Sequence, residues 1–178
     1  MVWLKVGFGL LLFALASAVP PGNRRRDPTD LFKLYTAFPN AVAIFTSSNH
    51  SSFKCLTATR RAFDPKAKTA TYVWHFKGHS GHKRKDVSFH LFREDTPGQD
   101  TYYLNDDKSR EYTVIYEYTD YKTCVVLKLP YENHDHCMLW VRRSVINNVP
   151  KDCLENYEDI CDVRVPLNDK NLCKDDDE

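Results

Sequence analysis

The sequence predicts an all-β fold: an eight-stranded antiparallel up-and-down barrel with a short N-terminal helix, a C-terminal helix and disulfide staples. Three observations carry this. Segments with period-two alternation recur along most of the chain, separated by short polar turn clusters. The chain holds 10 Tyr and 10 Phe beside many Val, Ile and Thr, a strand-forming and core-filling supply. Six cysteines follow a leader-like N-terminus, as in secreted proteins that staple their folds.

The elements follow in order. Residues 1–18 read as a signal peptide: Lys5 supplies the positive charge, "VGFGLLLFAL" the apolar run, and Ala16-Ser17-Ala18 the small-residue cleavage site. Residues 19–178 then form one domain of 160 residues (178 − 18), long enough to bury a substantial core. "VPPGNRRR" reads as a disordered arm. "DPTDLFKLY" predicts a helix over Pro28–Tyr35, with Asp27 as N-cap, Pro28 at the first position and Asp30 favouring the positive end of the dipole.

Eight strands are expected at Ala41–Ser47, Phe53–Phe63, Thr69–Lys77, Asp86–Glu94, Thr101–Leu104, Tyr112–Tyr118, Thr123–Leu129 and Cys137–Arg143. "DPKAK", "DTPGQD" and "NDDKSRE" read as the turns between some of them. Sequential strands joined by short loops fit a meander, and closing it removes exposed edges while leaving room for one small ligand. After Pro150, Leu154, Tyr157 and Ile160 recur at helical spacing, so a C-terminal helix packs on the barrel. The terminal "CKDDDE" reads as a solvated acidic end.

Charge and motifs narrow the function. Without Lys5 the domain has 24 basic and 24 acidic residues, a balance that disfavours nucleic acid as partner. No second apolar run of spanning length follows the leader, so no membrane span is expected. The sequence shows no nucleophile elbow, no HExxH and no phosphate-cradling glycine loop, so an enzyme is not expected. Asn49-His50-Ser51 is a glycosylation sequon. His75, His79 and His82 have ligand-like spacing but sit among cations that repel a metal, so no metal site and no cofactor is expected. His134 and His136 read as loop residues, and Arg24-Arg25-Arg26 and Lys83-Arg84-Lys85 as solvated charge runs.

Alternation also assigns faces. Tyr72, Trp74 and Phe76 point inward with Ala70, and Val87, Phe89 and Leu91 share one side of the next strand. Tyr112, Val114, Tyr116 and Tyr118 separate from Thr113, Ile115 and Glu117. Periodicity leaves open whether the inward aromatics line a pocket or fill a core.

"CMLWVRRSVINNVPKDCLENYEDIC" resembles the end of the tick salivary lipocalins, the histamine-binding family of blood-feeding ticks, which includes a japanin-like group. Matching features are a Cys-x-Leu-Trp-Val strand, a Val-Pro turn, and cysteines at the start of a helix (Cys153) and after it (Cys161). The resemblance implies a lipocalin barrel, no enzymatic activity, and pairs Cys55–Cys173, Cys124–Cys153 and Cys137–Cys161. It also implies a secreted salivary monomer that sequesters a host mediator, a biogenic amine or a lipid or sterol. A protein-contact immunomodulator acting on a host protein or dendritic cells is the alternative. Amine binders of the family carry acids where this chain has Val125 and Met138. A buried ammonium needs a paired carboxylate, so their absence leans the expectation toward an apolar ligand held by Met138 and Trp140. Glu117 is the best remaining carboxylate for an amine, ahead of Asp120 and Asp135, although an outward solvated side chain fits it at least as well.

Overall fold

The computed structural model describes residues 27–79, 81–93 and 95–173. The signal peptide, the basic arm with Arg24–Arg26, Glu94 and the acidic end beyond Cys173 lie outside the described residues.

Asp30 starts helix α1 (Leu31–Ala37) by accepting hydrogen bonds from the amides of Phe32 and Lys33 at 3.0 and 3.2 Å. The cap is therefore Asp30 and not Asp27, and the helix starts three residues later than Pro28. The Asp30 backbone is extended, with ψ of 103°, so the helix cannot continue back through it, and the preceding Thr29 donates its hydroxyl to the Tyr116 carbonyl at 3.0 Å. Strands β1 (Asn40–Thr46), β2 (Thr57–Asp64), β3 (Thr69–Phe76), β4 (Lys85–Arg93), β5 (Gln99–Leu104), β6 (Asp107–Thr119), β7 (Cys124–Tyr131) and β8 (His134–Val141) follow, then α2 (Lys151–Ile160) and a two-residue β9 (Val165–Pro166). Neighbours in sequence pair antiparallel from β2 through β8, β8 pairs with β1, and β1 pairs back onto β2, closing the eight-stranded barrel; β9 adds to β1.

Several boundaries differ from expectation for local reasons. Phe53 belongs to a 3₁₀ turn (Ser51–Phe53) that plugs one end of the barrel, and β2 begins only at Thr57. The segment "NDDKSRE" is mostly strand: Asn105 takes a positive φ of 50° in a tight turn, and the exposed residues from Asp107 extend β6. β7 likewise continues through Pro130 to Tyr131. There Glu132 and Asn133, with φ of 49° and 64°, make the two-residue reversal into β8. His136 is a core residue of β8, only 1% exposed. Ser48 Oγ lies 2.6 Å from its Nδ1, and its Nε2 donates to the Tyr131 carbonyl at 3.1 Å.

Two cores result, one on each side of β7 and β8. The inner core contains α1 residues Leu34 and Tyr35 with Trp74, Phe89, Tyr102, Met138 and Trp140. The outer core lies between the barrel and α2, and contains Val126, Leu139, Val141 and Tyr157. Alternation along β8 sends Met138 and Trp140 inward and Cys137, Leu139 and Val141 outward. Leu154 and Ile160 pack against the outer core beside Tyr157, as their helical spacing predicts.

All three disulfides implied by the resemblance are present: Cys55–Cys173, Cys124–Cys153 and Cys137–Cys161, spanning 118, 29 and 24 residues. By loop-closure entropy the longest contributes roughly 5 kcal/mol and the others roughly 3.5 kcal/mol each. Replacing Cys55 and Cys173 by Ser is expected to cost more in urea unfolding than replacing Cys137 and Cys161. Equal or reversed losses would contradict that order.

His136 gives a pH signature. Burial holds its imidazole below the ordinary value of about 6.5, so the unfolded chain takes up a proton first as pH falls. Stability from this residue is full above about pH 6.5 and declines below it, by up to about 1.4 kcal/mol per pH unit. Thermal unfolding from pH 7.5 to 5 should show this decline, and His136→Gln should flatten it.

Candidate functional site

Inward-facing residues of all eight barrel strands and α1 enclose a cavity of about 70 Å³ at the α1 end of the barrel. Leu34, Tyr35 and Phe38 of the α1 segment form its lid. The wall is aromatic, with Tyr72, Trp74, Phe89, Tyr102, Tyr116 and Trp140, and aliphatic at Val125, Leu127 and Leu129. Trp74 packs on Phe89 and Trp140 with ring centroids 4.3 and 5.0 Å away, which fixes the wall's shape. Two guanidiniums tie the lid to the barrel rim: Arg60 donates to the Tyr35 carbonyl, and Arg142 Nε donates to the Ala37 carbonyl at 2.9 Å.

The opposite end is filled. Phe53 is fully buried and contacts Trp74, Phe76, Tyr131 and His136. Phe76 stacks on Tyr131 at 5.6 Å, and Lys85 lies over both rings at 4.9 and 5.7 Å. Lys85 also bonds Glu132 at 2.8 Å, which in turn meets His50 at 3.1 Å. Lys85 is thus the cap of an aromatic plug and not part of a free charged tip.

The sequence-predicted ligand residues therefore divide. Tyr72, Trp74 and Trp140 stand on the cavity wall. Phe76 and Met138 point inward but belong to the packed core away from the cavity wall; Met138 is fully buried, opposite Leu127 and Thr46 in the ladders. Glu117 faces outward and bonds Lys128 at 3.0 Å. A bulge between Tyr116 and Tyr118 puts Tyr118 on the outer side with it, beside the α2 core, so the alternation predicted for Tyr118 breaks there. Asp120 serves its own turn, accepting from the amides of Lys122 and Thr123 at 2.9 and 2.8 Å. Asp135 is the second residue of β8, opposite Pro130.

The carboxylate that sequence reasoning missed is Asp100, 1% exposed in β5. It accepts a hydrogen bond from the Tyr35 hydroxyl, and that hydroxyl lies 2.9 Å from the Tyr116 hydroxyl. Tyr35 and Tyr116 both line the cavity, so one side of an apolar chamber is backed by a Tyr–Tyr–carboxylate cluster. Burial pushes both phenols well above their ordinary value, so they stay protonated and the Tyr35 hydroxyl donates to Asp100. A signal was available: Asp100 lies two residues before the inward Tyr102, but "DTPGQD" reads as a turn and the strand was expected to start at Thr101. Trp140, also on the wall, has a buried indole N–H that finds no acceptor among the described residues.

The histidines of the β3–β4 hairpin are used structurally: His75 bonds Asp86 at 2.9 Å and His82 bonds Ser51 at 2.8 Å. Among the described residues, the group with metal-like ligand spacing is Asp120 with Cys124 and Cys153, and those cysteines share a disulfide. Asn49 is exposed in the loop after β1. No helix among the described residues is long and apolar enough to cross a membrane.

Solved structures share this architecture. Japanin from Rhipicephalus appendiculatus, bound to cholesterol, matches with TM-score 0.55 and 13% identity over 75% of this chain and 94% of its own. The AM182 serotonin complex matches with TM-score 0.60 and 12% identity over 81% and 92%. The cockroach major allergen Per a 4 matches with TM-score 0.57 and 12% identity over 81% and 91%. A search of curated proteins found no match. The sequence model described as Tick histamine binding protein matches residues 42–170, most of the barrel and α2, and the chain belongs to this family of ligand-binding lipocalins.

Proposed function

We propose that the protein is a secreted lipocalin that sequesters one small amine with an aromatic or apolar body, a host mediator of the histamine or serotonin class. The carrying observation is the pairing of an aromatic-walled chamber with a buried acid behind two hydroxyls, Asp100–Tyr35–Tyr116. An ammonium placed against the hydroxyls gains the charge of Asp100, while the ligand's ring packs on Trp74, Phe89 and Trp140. A buried cation without such an acid is unfavourable by several kcal/mol. Cavity size supports the same class. At about 70 Å³ it is smaller than the roughly 150 Å³ apolar cavity that accepts benzene, so any ligand requires the wall to move, and a small amine requires far less movement than a sterol.

Binding is stoichiometric and removes the mediator without turnover. The family's serotonin-bound and cholesterol-bound structural neighbours bracket the choice, and Asp100 favours the amine side. Secretion, glycosylation at Asn49 and suppression of host inflammation complete the reading. They rest on the leader-like N-terminus, the sequon's exposed position and the family.

Tryptophan fluorescence decides between ligands, because Trp74 and Trp140 are in the wall. Histamine or serotonin should saturate the signal at one equivalent. Asp100→Asn keeps an acceptor for Tyr35 but removes the charge, and should weaken amine binding roughly 10- to 100-fold, the range for a hydrogen bond to a charged group. Tight cholesterol binding that survives Asp100→Asn, with no amine response, would overturn the proposal in favour of a lipid carrier. No response to any of these ligands would favour action through contact with a host protein.

Trp140→Phe keeps the ring packing and removes the unpaired donor. If the indole N–H contacts ligand, affinity should fall several-fold in a variant whose thermal unfolding stays cooperative. An unchanged affinity would place the ligand away from β8.

A further inference from the structure

Four tyrosines stand on the wall of the inner cavity: Tyr35, Tyr72, Tyr102 and Tyr116. A phenol has one proton to donate and lone pairs with which to accept, so the destination of each proton fixes what the wall offers a ligand. Tyr72 donates to the Phe38 carbonyl at 2.7 Å, and Tyr102 donates to the Pro130 carbonyl. Tyr35 donates to the Asp100 carboxylate. That leaves Tyr35 no proton for its neighbour, so across the 2.9 Å between the two hydroxyls Tyr116 is the donor. All four protons end on acceptors of the protein itself.

The hydrogen bonds of the cluster run one way, from Tyr116 to Tyr35 to Asp100. Tyr116 Oη is the open end: among the described residues its hydroxyl bonds Tyr35 and nothing else. Hydrogen bonds in series polarise one another, which makes this oxygen a stronger acceptor. Asp100 stands behind the wall and acts through the two phenols. An ammonium, N–H or O–H group of a ligand meets lone pairs at Tyr116. A carboxylate there sets lone pairs against lone pairs, with the negative charge of Asp100 behind them. Trp140's indole N–H, the wall donor without an acceptor, is one uncharged contact and does not offset the burial of an anion.

We propose that Tyr116 is the specificity-determining acceptor of the chamber, held in that role by the one-way bonds to Tyr35 and Asp100, so that ligands are selected for a buried hydrogen-bond donor and carboxylate-ended ligands of the same shape are rejected. The proposal rests on the reading of the inner chamber as the ligand site and deepens it. Rejection is strong in such a site because the wrong end-group leaves buried polar atoms unpaired. A neutral hydroxyl satisfies Tyr116 as an ammonium does, and only the ammonium adds attraction to Asp100. Donor direction and charge are thus separable.

Calorimetric titration with three probes of one shape, phenethylamine, phenethyl alcohol and phenylacetate, tests this. Affinity should fall in that order, by roughly 10-fold or more at each step. Tyr116→Phe should weaken the amine and the alcohol alike, by roughly 10-fold. Asp100→Asn keeps an acceptor for Tyr35, so it should weaken the amine but change the alcohol by less than about 3-fold. Phenylacetate bound as tightly as the amine would mean that the bonds run the other way, from a protonated Asp100, and would overturn the proposal. So would a Tyr116→Phe variant that binds amine and alcohol unchanged. Alcohol and amine bound equally, both through Tyr116, would overturn the amine reading and leave the donor rule standing. Proton NMR of the ligand-free protein gives a second readout. The downfield hydroxyl resonance of a phenol bonded to a carboxylate should persist in Tyr116→Phe and vanish in Tyr35→Phe. The reverse pattern would overturn the proposal even if no probe binds.

Discussion

The barrel closes on a short seam. β1 and β2 share three rungs, Asn40–Thr59, Ala41–Ala58 and Val42–Thr57, whereas β3 and β4 share eight. Beyond Val42, β1 leaves β2 and follows β8, with a bulge between Ala43 and Phe45. The rest of the architecture compensates for this weak joint. The Phe53 turn fills the space where the two strands diverge, β9 supplies β1 with a substitute partner, and the Cys55 amide donates to the Leu167 carbonyl at 3.0 Å. Arg60 on β2 holds the end of α1, and so spans the seam from the other side. The longest disulfide fastens the tail at the same place. Without these reinforcements the sheet would have two exposed edges and no enclosed chamber.

That constraint also determines where a chamber can exist. One end of the barrel is consumed by the plug that supports the seam, with Phe53, Phe76, Tyr131 and the Lys85 cap. The chamber lies under α1, whose Tyr35 is at once lid, wall and partner of Asp100. The lid is held by side chains that donate to backbone carbonyls at its C-terminal end, Arg60 and Arg142. Polar grip at the rim thus accompanies an apolar interior.

Strand order, both helices and the inward face of β3 were legible in the sequence because alternation at period two survives wherever one face is buried. β8 was legible as a segment through its Cys-x-Leu-Trp-Val pattern. What escaped was decided by backbone irregularity or by distant partners. The bulge after Tyr116 turns Tyr118 out, which no pattern of residue types announces. Tyr131 and His136 enter the core through a tight turn of Glu132 and Asn133, neither a glycine, so the polar stretch "ENHDH" read as loop. Asp100 was hidden by its turn-like neighbours and becomes meaningful only when Tyr35, 65 residues earlier, arrives beside it. Under the proposed function Asp100 supplies, from a different strand than the resemblance implies, the acid that Val125 and Met138 lack.

The two cores divide labour. Cavity-wall residues occupy the inner cluster, while Cys124–Cys153 and Cys137–Cys161 sit in the outer one beneath α2. Along β7 and β8 successive residues alternate between these compartments. Neutral drift in the chamber, Val125 or Trp140 for example, therefore changes shape and polarity without touching the covalent frame one residue away. Such a scaffold is evolvable in a specific sense. Inward positions of a strand can change what is captured while the outward ones keep the cysteines and the α2 contacts.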